Sequence, residues 1–164
     1  MEDIQIRTVR MDDLDAVTQI ERICFPPQEA AGRDSLKARI EAFGTWFLVA
    51  QTADGGLVGM INGMATHEES IDDEMFADAS LHCGDAPVQT VFGLDVLPQW
   101  RGRGIAGALV EAFCEAARCA GRKKVTLTCK ERLIGMYEHF GFVNQGLARS
   151  AHGGAVWYNM DRLL

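Results

Sequence analysis

Hydrophobic and polar positions alternate at the start of the chain, where Ile4 and Ile6 sit between polar neighbours as in a half-buried strand. Asp12 or Asp13 then offers a cap to a helix whose apolar stripe is Leu14, Val17, Ile20 and Ile23. Pro26 and Pro27 end that helix, because a proline drives the residue before it, Phe25, out of helical geometry. A second short helix carries Leu36, Ile40 and Phe43, and residues 46–50 and 57–61 flank a turn at Ala53-Asp54-Gly55-Gly56 as a hairpin. An acidic segment at 67–74 follows, with a helical turn expected around Asp73 to Phe76, and residues 89–96 read as one strand. Ile105, Leu109, Val110, Phe113 and Ala117 define a helix over 105–120, stopped by Gly121. Residues 124–128 form a strand, 131–140 a helix closed by Gly141, and Phe142 and residues 156–160 supply further strands. A run of strands followed by strand-helix-strand-helix-strand predicts an α/β or α+β fold, a single domain over 1–164 with one mixed sheet, a right-handed crossover and helices on its faces.

Composition narrows the class of protein. The chain has 164 residues, 48% hydrophobic and 24% charged, a balance suited to one ordinary core. Its formal net charge of −7 provides no global positive field for nucleic acid and favours small cationic partners. The opening MEDIQIRTVRMDD has no apolar export core, and the longest aliphatic stretch, 105–110, is far short of a membrane span, so a soluble cytoplasmic protein is expected. Five cysteines, at 24, 83, 114, 119 and 129, are odd in number and lack C-x-x-C spacing, which argues against a disulfide framework or a metal site.

The most chemical-looking stretch is Val96-Leu97-Pro98-Gln99-Trp100-Arg101-Gly102-Arg103-Gly104-Ile105-Ala106-Gly107, where a strand gives way to a strongly periodic helix. Gly102, Gly104 and Gly107 permit tight backbone geometry, so the amides of 102–107 can point together at an anion, with Arg101 and Arg103 adding charge. The same turn can also be a plain solvated helix start. No Lys-Ser or Lys-Thr follows, which excludes a Walker A loop, and too little chain remains for a dinucleotide domain built on G-x-G-x-x-G. A pyrophosphate cradle for coenzyme A is the third reading.

Leu94-Asp95-Val96 followed by Arg101-Gly102-Arg103-Gly104-Ile105-Ala106 resembles the strand and acetyl-CoA loop, R/Q-x-x-G-x-G/A, of the GNAT N-acetyltransferases. Thr128-Cys129-Lys130-Glu131-Arg132-Leu133-Ile134-Gly135-Met136-Tyr137-Glu138-His139-Phe140-Gly141-Phe142 is similar to the later signature of that superfamily, in wording closest to the arylalkylamine (serotonin) N-acetyltransferase branch. Glu21-Arg22-Ile23-Cys24-Phe25 resembles the start of that branch's amine-binding loop. The resemblance implies a single-domain fold with a mostly antiparallel mixed sheet and a central V-shaped strand pair for acetyl-CoA. It implies acetyl transfer to a small primary amine, as a monomer or homodimer with no nucleic acid or membrane partner.

Carried over, the backbone of Leu94, Asp95 and Val96 pairs with the pantetheine arm, while Arg101, Gly102, Arg103, Gly104, Ile105, Ala106 and Gly107 hold the pyrophosphate. Tyr137 protonates the departing thiolate, a plausible transfer between groups of reference pKa about 8.5 and about 10. Phe25, Thr128 and Trp157 fall on substrate-facing positions, Trp157 being equally readable as core. The family's histidine pair falls on Thr90 and Phe92, neither of them a base; His67, Glu68, Glu69 and His82 lie upstream as solvated loop residues that could act through water. Cys129 is expected to be buried packing, the acidic run a solvated face, and His152-Gly153-Gly154 a turn outside the site. Polyamine or protein N-terminal acetylation, and a silent CoA-binding regulatory module, stay open beside the arylalkylamine reading.

Overall fold

In the computed structural model, which describes residues 3–164, the chain forms two sheets in place of the expected one. The first is antiparallel in the order β1 (Ile4–Thr8), β2 (Phe47–Thr52), β3 (Leu57–Asn62), β6 (Gly93–Val96). The second runs β4 (Ala65–Thr66), β5 (Val88–Val91), β7 (Lys124–Cys129), β9 (Tyr158–Leu163), β8 (Val143–Leu147), and its β5–β7 pair is parallel. Period-two patterning explains how the first sheet is covered on both sides. Phe47, Val49 and Met60 pack on α1 (Leu14–Cys24) and α2 (Arg33–Phe43) through Leu14, Val17, Ile20 and Leu36, while Ala50 and Ile61 meet Ile105, Leu109 and Phe113 of α4 (Ile105–Cys119). α1 ends where the proline argument places it, with Phe25 extended at φ −127° and ψ 149°. α3 is the single turn Glu74–Ala77, and the helix expected over 131–140 is a 3-10 turn, Glu131–Leu133, leading into α5 (Ile134–His139).

The strand expected over 89–96 is broken at Phe92, and this break creates the two sheets. Asn62 pairs with Gly93 but Ala65 pairs with Gln89, so three residue steps on one strand face four on the other. Two backbones cross closely there: a Cβ on Gly63 would lie 1.9 Å from the Thr90 carbonyl oxygen. The buried Gln89 side chain covers the irregularity, its Nε2 donating to the carbonyls of Gly63, Met64 and Thr90 at 3.1 to 3.2 Å. Past Val91, paired with Leu127, β6 leaves with the first sheet and β7 stays with the second. The V-shaped strand pair expected from the family resemblance is this divergence.

Gly63→Ala should therefore lower stability by about 3 kcal/mol or more, since backbone cannot yield to a methyl as a side-chain tip can. Gly32→Ala, with nothing within 4 Å of its added Cβ, should stay within about 0.5 kcal/mol. Urea midpoints of the two variants check the contrast.

Candidate active site

A cleft of about 900 Å³ fills the opening between β6 and β7, large for a small-molecule site. One wall is the β6 edge. The Leu97 amide donates to Val58 at 2.9 Å, so by the alternation of an antiparallel ladder Leu94 and Val96 turn their backbone groups away from β3 and toward the cleft. Arg101 Nε donates to the Val96 carbonyl at 2.9 Å and the Cys24 thiol donates to it at 3.5 Å, leaving Leu94 as the free edge. An extended chain can add to that edge as a strand would.

The glycine turn forms the next stretch of wall. Gly102 and Gly104 hold φ of 76° and 84°, and a Cβ on either would meet nothing within 4 Å, so the left-handed turn leaves open space before the helix. α4 begins with no side-chain cap, so the amides of Gly104, Ile105, Ala106 and Gly107 lack intrahelical acceptors and can receive an anion. Gly107 also has a packing role. It is helical, and a Cβ there would press on Phe140 at 3.2 Å. Two expected cofactor residues lie outside the lining. The Arg103 guanidinium stacks outward on Trp100 at 4.5 Å, and the Asp95 side chain points through the sheet to α1 and α2.

Tyr137 stands across the cleft on α5, its ring held edge-on by Phe140 and Phe142 at 6.4 and 5.8 Å. Burial, with Cys129 and Asp95 beside it, pushes the phenol well above its ordinary value, so it holds its proton through neutral pH. Burial likewise raises the Cys129 thiol to about 11, which leaves it an inert core group as expected.

Phe25, Thr128 and Trp157 come from three distant parts of the chain and all line the cleft. Much of their surroundings leaves no mark in the sequence. His152, assigned to a plain turn, lines the cleft stacked on Phe76 at 4.4 Å, and its Nε2 donates to the Glu29 carbonyl at 3.0 Å. Trp157 Nε1 in turn donates to the His152 carbonyl at 2.8 Å. Lys130 spans the cleft to Glu29 at 2.7 Å, with its ammonium 5.7 Å from the Trp157 ring. Asp73 accepts from the Ala151 amide at 3.0 Å and from Ser150, tying the acidic segment to the same loop. Glu29 and Lys130 stand 101 positions apart, and no local spacing relates them.

None of the upstream candidates lines the cleft. His82 Nδ1 accepts from the Ala65 amide at 3.0 Å; His67, Glu68 and Glu69 are exposed. Thr90 is buried with its hydroxyl bonded to Met64, whereas Phe92 does reach the cleft. On the same exposed loop His67, Cys83 and Asp85 bring possible ligand atoms within 4.8 Å, but the Cys83 thiol is already hydrogen bonded to Asp85 at 3.2 Å.

A splayed strand pair with a glycine turn at the mouth of its cleft is the arrangement of a CoA-dependent acyltransferase. The chain belongs to the acetyltransferase (GNAT) family, whose model matches residues 14–142. A search of curated protein sequences finds no match. Among solved structures it is similar to GphF, a GNAT-like decarboxylase in complex with isobutyryl-CoA (20% identity, 97% and 98% of the two chains, TM-score 0.83). It is also similar to Naa50 of Arabidopsis thaliana in complex with the bisubstrate analogue CoA-Ac-MVNAL (19%, 97% and 97%, 0.75). A third likeness is to the PaiA N-acetyltransferase of Thermoplasma acidophilum in complex with coenzyme A (15%, 99% and 99%, 0.74). Acetyl-CoA is the co-substrate of this acetyltransferase. No helix among the described residues is long and apolar enough to cross a membrane.

Acetyl-CoA at a hundred times its dissociation constant should raise the melting temperature by about 5 to 10 °C, the equivalent of about 2.7 kcal/mol. Gly104→Val places a branched side chain at φ 84° in the open space of the turn and should abolish most of that shift. Thermal melts with and without cofactor check both; an unchanged wild-type midpoint at millimolar acetyl-CoA contradicts the cradle.

Proposed function

We propose that the protein acetylates small primary amines with an apolar, ring-bearing tail, arylalkylamine-like acceptors, by direct transfer from acetyl-CoA. The observation that carries this reading is the aromatic lining of the cleft away from the glycine turn: Phe25, Phe76, Phe92, His152 and Trp157. Flat rings there can stack on an aryl tail or meet a cation face-on. Glu21, Glu29 and Asp73 line the cleft among its arginines and lysine and are the carboxylates that can draw a positively charged acceptor.

In this reading the Leu94 edge takes the pantetheine arm, with its amide polarising the thioester carbonyl, and the amides of 102–107 hold the pyrophosphate. Arg101 shapes the turn through the Val96 carbonyl, Arg103 adds charge at the rim, and Asp95 acts through its carboxyl rather than along the strand edge. Tyr137 gives its proton to the leaving thiolate. A phenol held protonated by burial suits an acid. Five free thiols suit a reducing compartment, in keeping with a cytoplasmic enzyme.

Tyr137→Phe keeps the ring and removes the donor, so single-turnover rate should fall by about 10²-fold with cofactor affinity little changed. Because burial raises the phenol, wild-type kcat should show no loss from its ionisation as pH rises to about 10. Trp157→Ala should raise KM for phenethylamine by about tenfold and leave spermidine nearly unaffected. Comparing kcat/KM for phenethylamine, spermidine and a short peptide by thiol release tests the acceptor class. Preference for spermidine or the peptide, with indifference to Trp157→Ala, would replace this acceptor by a polyamine or a protein N-terminus; cofactor binding without turnover of any amine would leave the regulatory module.

A further inference from the structure

Four polar side chains meet beneath the cleft floor at Gly93: Glu21 of α1, Arg39 of α2, Asn62 of β3 and Asp95 of β6, none more than 5% exposed. Arg39 donates to Asn62 Oδ1 at 3.0 Å and to the Phe76 carbonyl at 2.9 Å, and Glu21 Oε2 accepts from the Ala31 amide at 2.9 Å. These bonds leave Arg39 Nε, Asn62 Nδ2 and both Asp95 oxygens buried without a hydrogen-bond partner. Glu21 and Asp95 converge on the same point at Gly93, where two carboxylates this close repel each other unless a proton is held between them. A Cβ on Gly93 would stand 3.1 Å from Asp95 Oδ1, 3.6 Å from Glu21 Oε1 and 4.0 Å from Asn62 Nδ2. Both Gly93 and Glu21 line the cleft, so the space left by the missing side chain joins the pair to the acceptor.

Fold stability gives no reason for such a cluster, since buried ionic groups are commonly neutral or worse than apolar packing. The acceptor chemistry does. An ammonium of reference pKa about 10 cannot attack until it loses a proton, so the cleft must offer a group to receive it. Of the other candidates, Thr90 is spent on Met64, Glu29 is paired with Lys130, Asp73 is tied to Ser150 and Ala151, and His139 is exposed beside Phe140.

We propose that the Glu21–Asp95 pair is the proton acceptor for the incoming ammonium, reached over Gly93, with Arg39 and Asn62 as positioning residues; this rests on the amine acetyltransferase reading above. Fully ionised, the pair and Arg39 carry one net negative charge, which draws the ammonium. Its proton becomes the one shared by the pair and is later released to water. The neutral amine forms the C–N bond as the C–S bond breaks; the sulfur takes the Tyr137 proton and the second amine proton restores the phenol. Burial and Glu21 hold the Asp95 carboxyl well above the usual carboxylate range, Cys24 adding to this and Arg39 opposing it, which makes the ionised Asp95 carboxylate beside Glu21 a stronger base than an ordinary one. The other charged or titratable groups facing it are Arg101, beside Cys24, and Tyr137 across the cleft. The pair can accept only after its shared proton has left, so kcat/KM should climb with pH and then level.

The test is the pH profile of kcat/KM with the best amine of the panel, beside the hydrazide bearing the same tail, which is uncharged at neutral pH and needs no base. Glu21→Gln should lower the amine value by about 10²-fold at pH 7, abolish the plateau in favour of a continued tenfold rise per pH unit, and alter hydrazide use less than about threefold. Glu21→Asp should restore part of the amine rate, and the acetyl-CoA melting shift should persist in both. Equal losses on amine and hydrazide, or an unchanged profile, would overturn the proposal. Should Glu21→Gln fail to fold, Gly93→Ala keeps both carboxyls, obstructs their approach, and should show the same selective loss. Failure of the acceptor class would show as no preference for ring-bearing amines, a result independent of this profile.

Discussion

The crossing of two backbones at Gly63 and Thr90 is the constraint on which the rest of the molecule depends. With no room for a Cβ between them, the strand after Gly63 hands its pairing from β6 to β5, and the extra residue at Phe92 lets one long strand serve two sheets. β6 then departs from β7 while β5 stays parallel to it, and a wedge opens in the middle of a continuous core. A strand edge exposed inside a cleft would normally be a liability, but here the Leu94 edge is the surface a substrate arm can occupy. The side chain of Gln89, three times a donor to the crossing carbonyls, keeps the break from leaving buried acceptors unsatisfied.

Charge is distributed unevenly around that wedge. At the glycine turn the chain offers amide dipoles and exposed arginines, a setting for a polyanion that stays partly in water. On the far side Glu29, Glu21, Asp95 and Arg39 are buried, Glu29 paired with Lys130 and Asp95 beside Glu21 and Arg39. Ion pairs in such places add little net stability; what they do is fix where loops from distant parts of the chain come to rest. Glu29 holds the segment after α1 against β7, its carbonyl holds His152, and Asp73 holds Ser150 and Ala151, so the aromatic lining rests on polar contacts behind it.

Local pattern was a good guide to the elements whose burial is decided by neighbours in sequence. The stripe on α4, the proline stop after α1 and the hairpin at Asp54 all stand where periodicity and turn chemistry put them. It failed at residues 89–96, because Val91, Phe92, Gly93 and Leu94 look like any apolar strand and a bulge leaves no mark when its cause is a glycine 30 positions earlier. It did not show that the small size of Gly107 also makes room for Phe140, or that the Arg103 guanidinium stacks on Trp100. The turn at His152 looked inert because its partners, Phe76 and Glu29, are remote in sequence.

By itself, then, the sequence determined the order of helices and strands, the glycine turn at the head of α4 and the presence of Tyr137 on a helix after β7, since each follows from spacing within about twenty residues. Only the tertiary structure decided which residues share the cleft. Asp95 and Arg39 acquire an altered chemistry through burial beside Glu21, and Glu29 meets Lys130 across most of the chain. Desolvation and through-space charge act by distance, and distance between remote segments is a property of the folded chain alone.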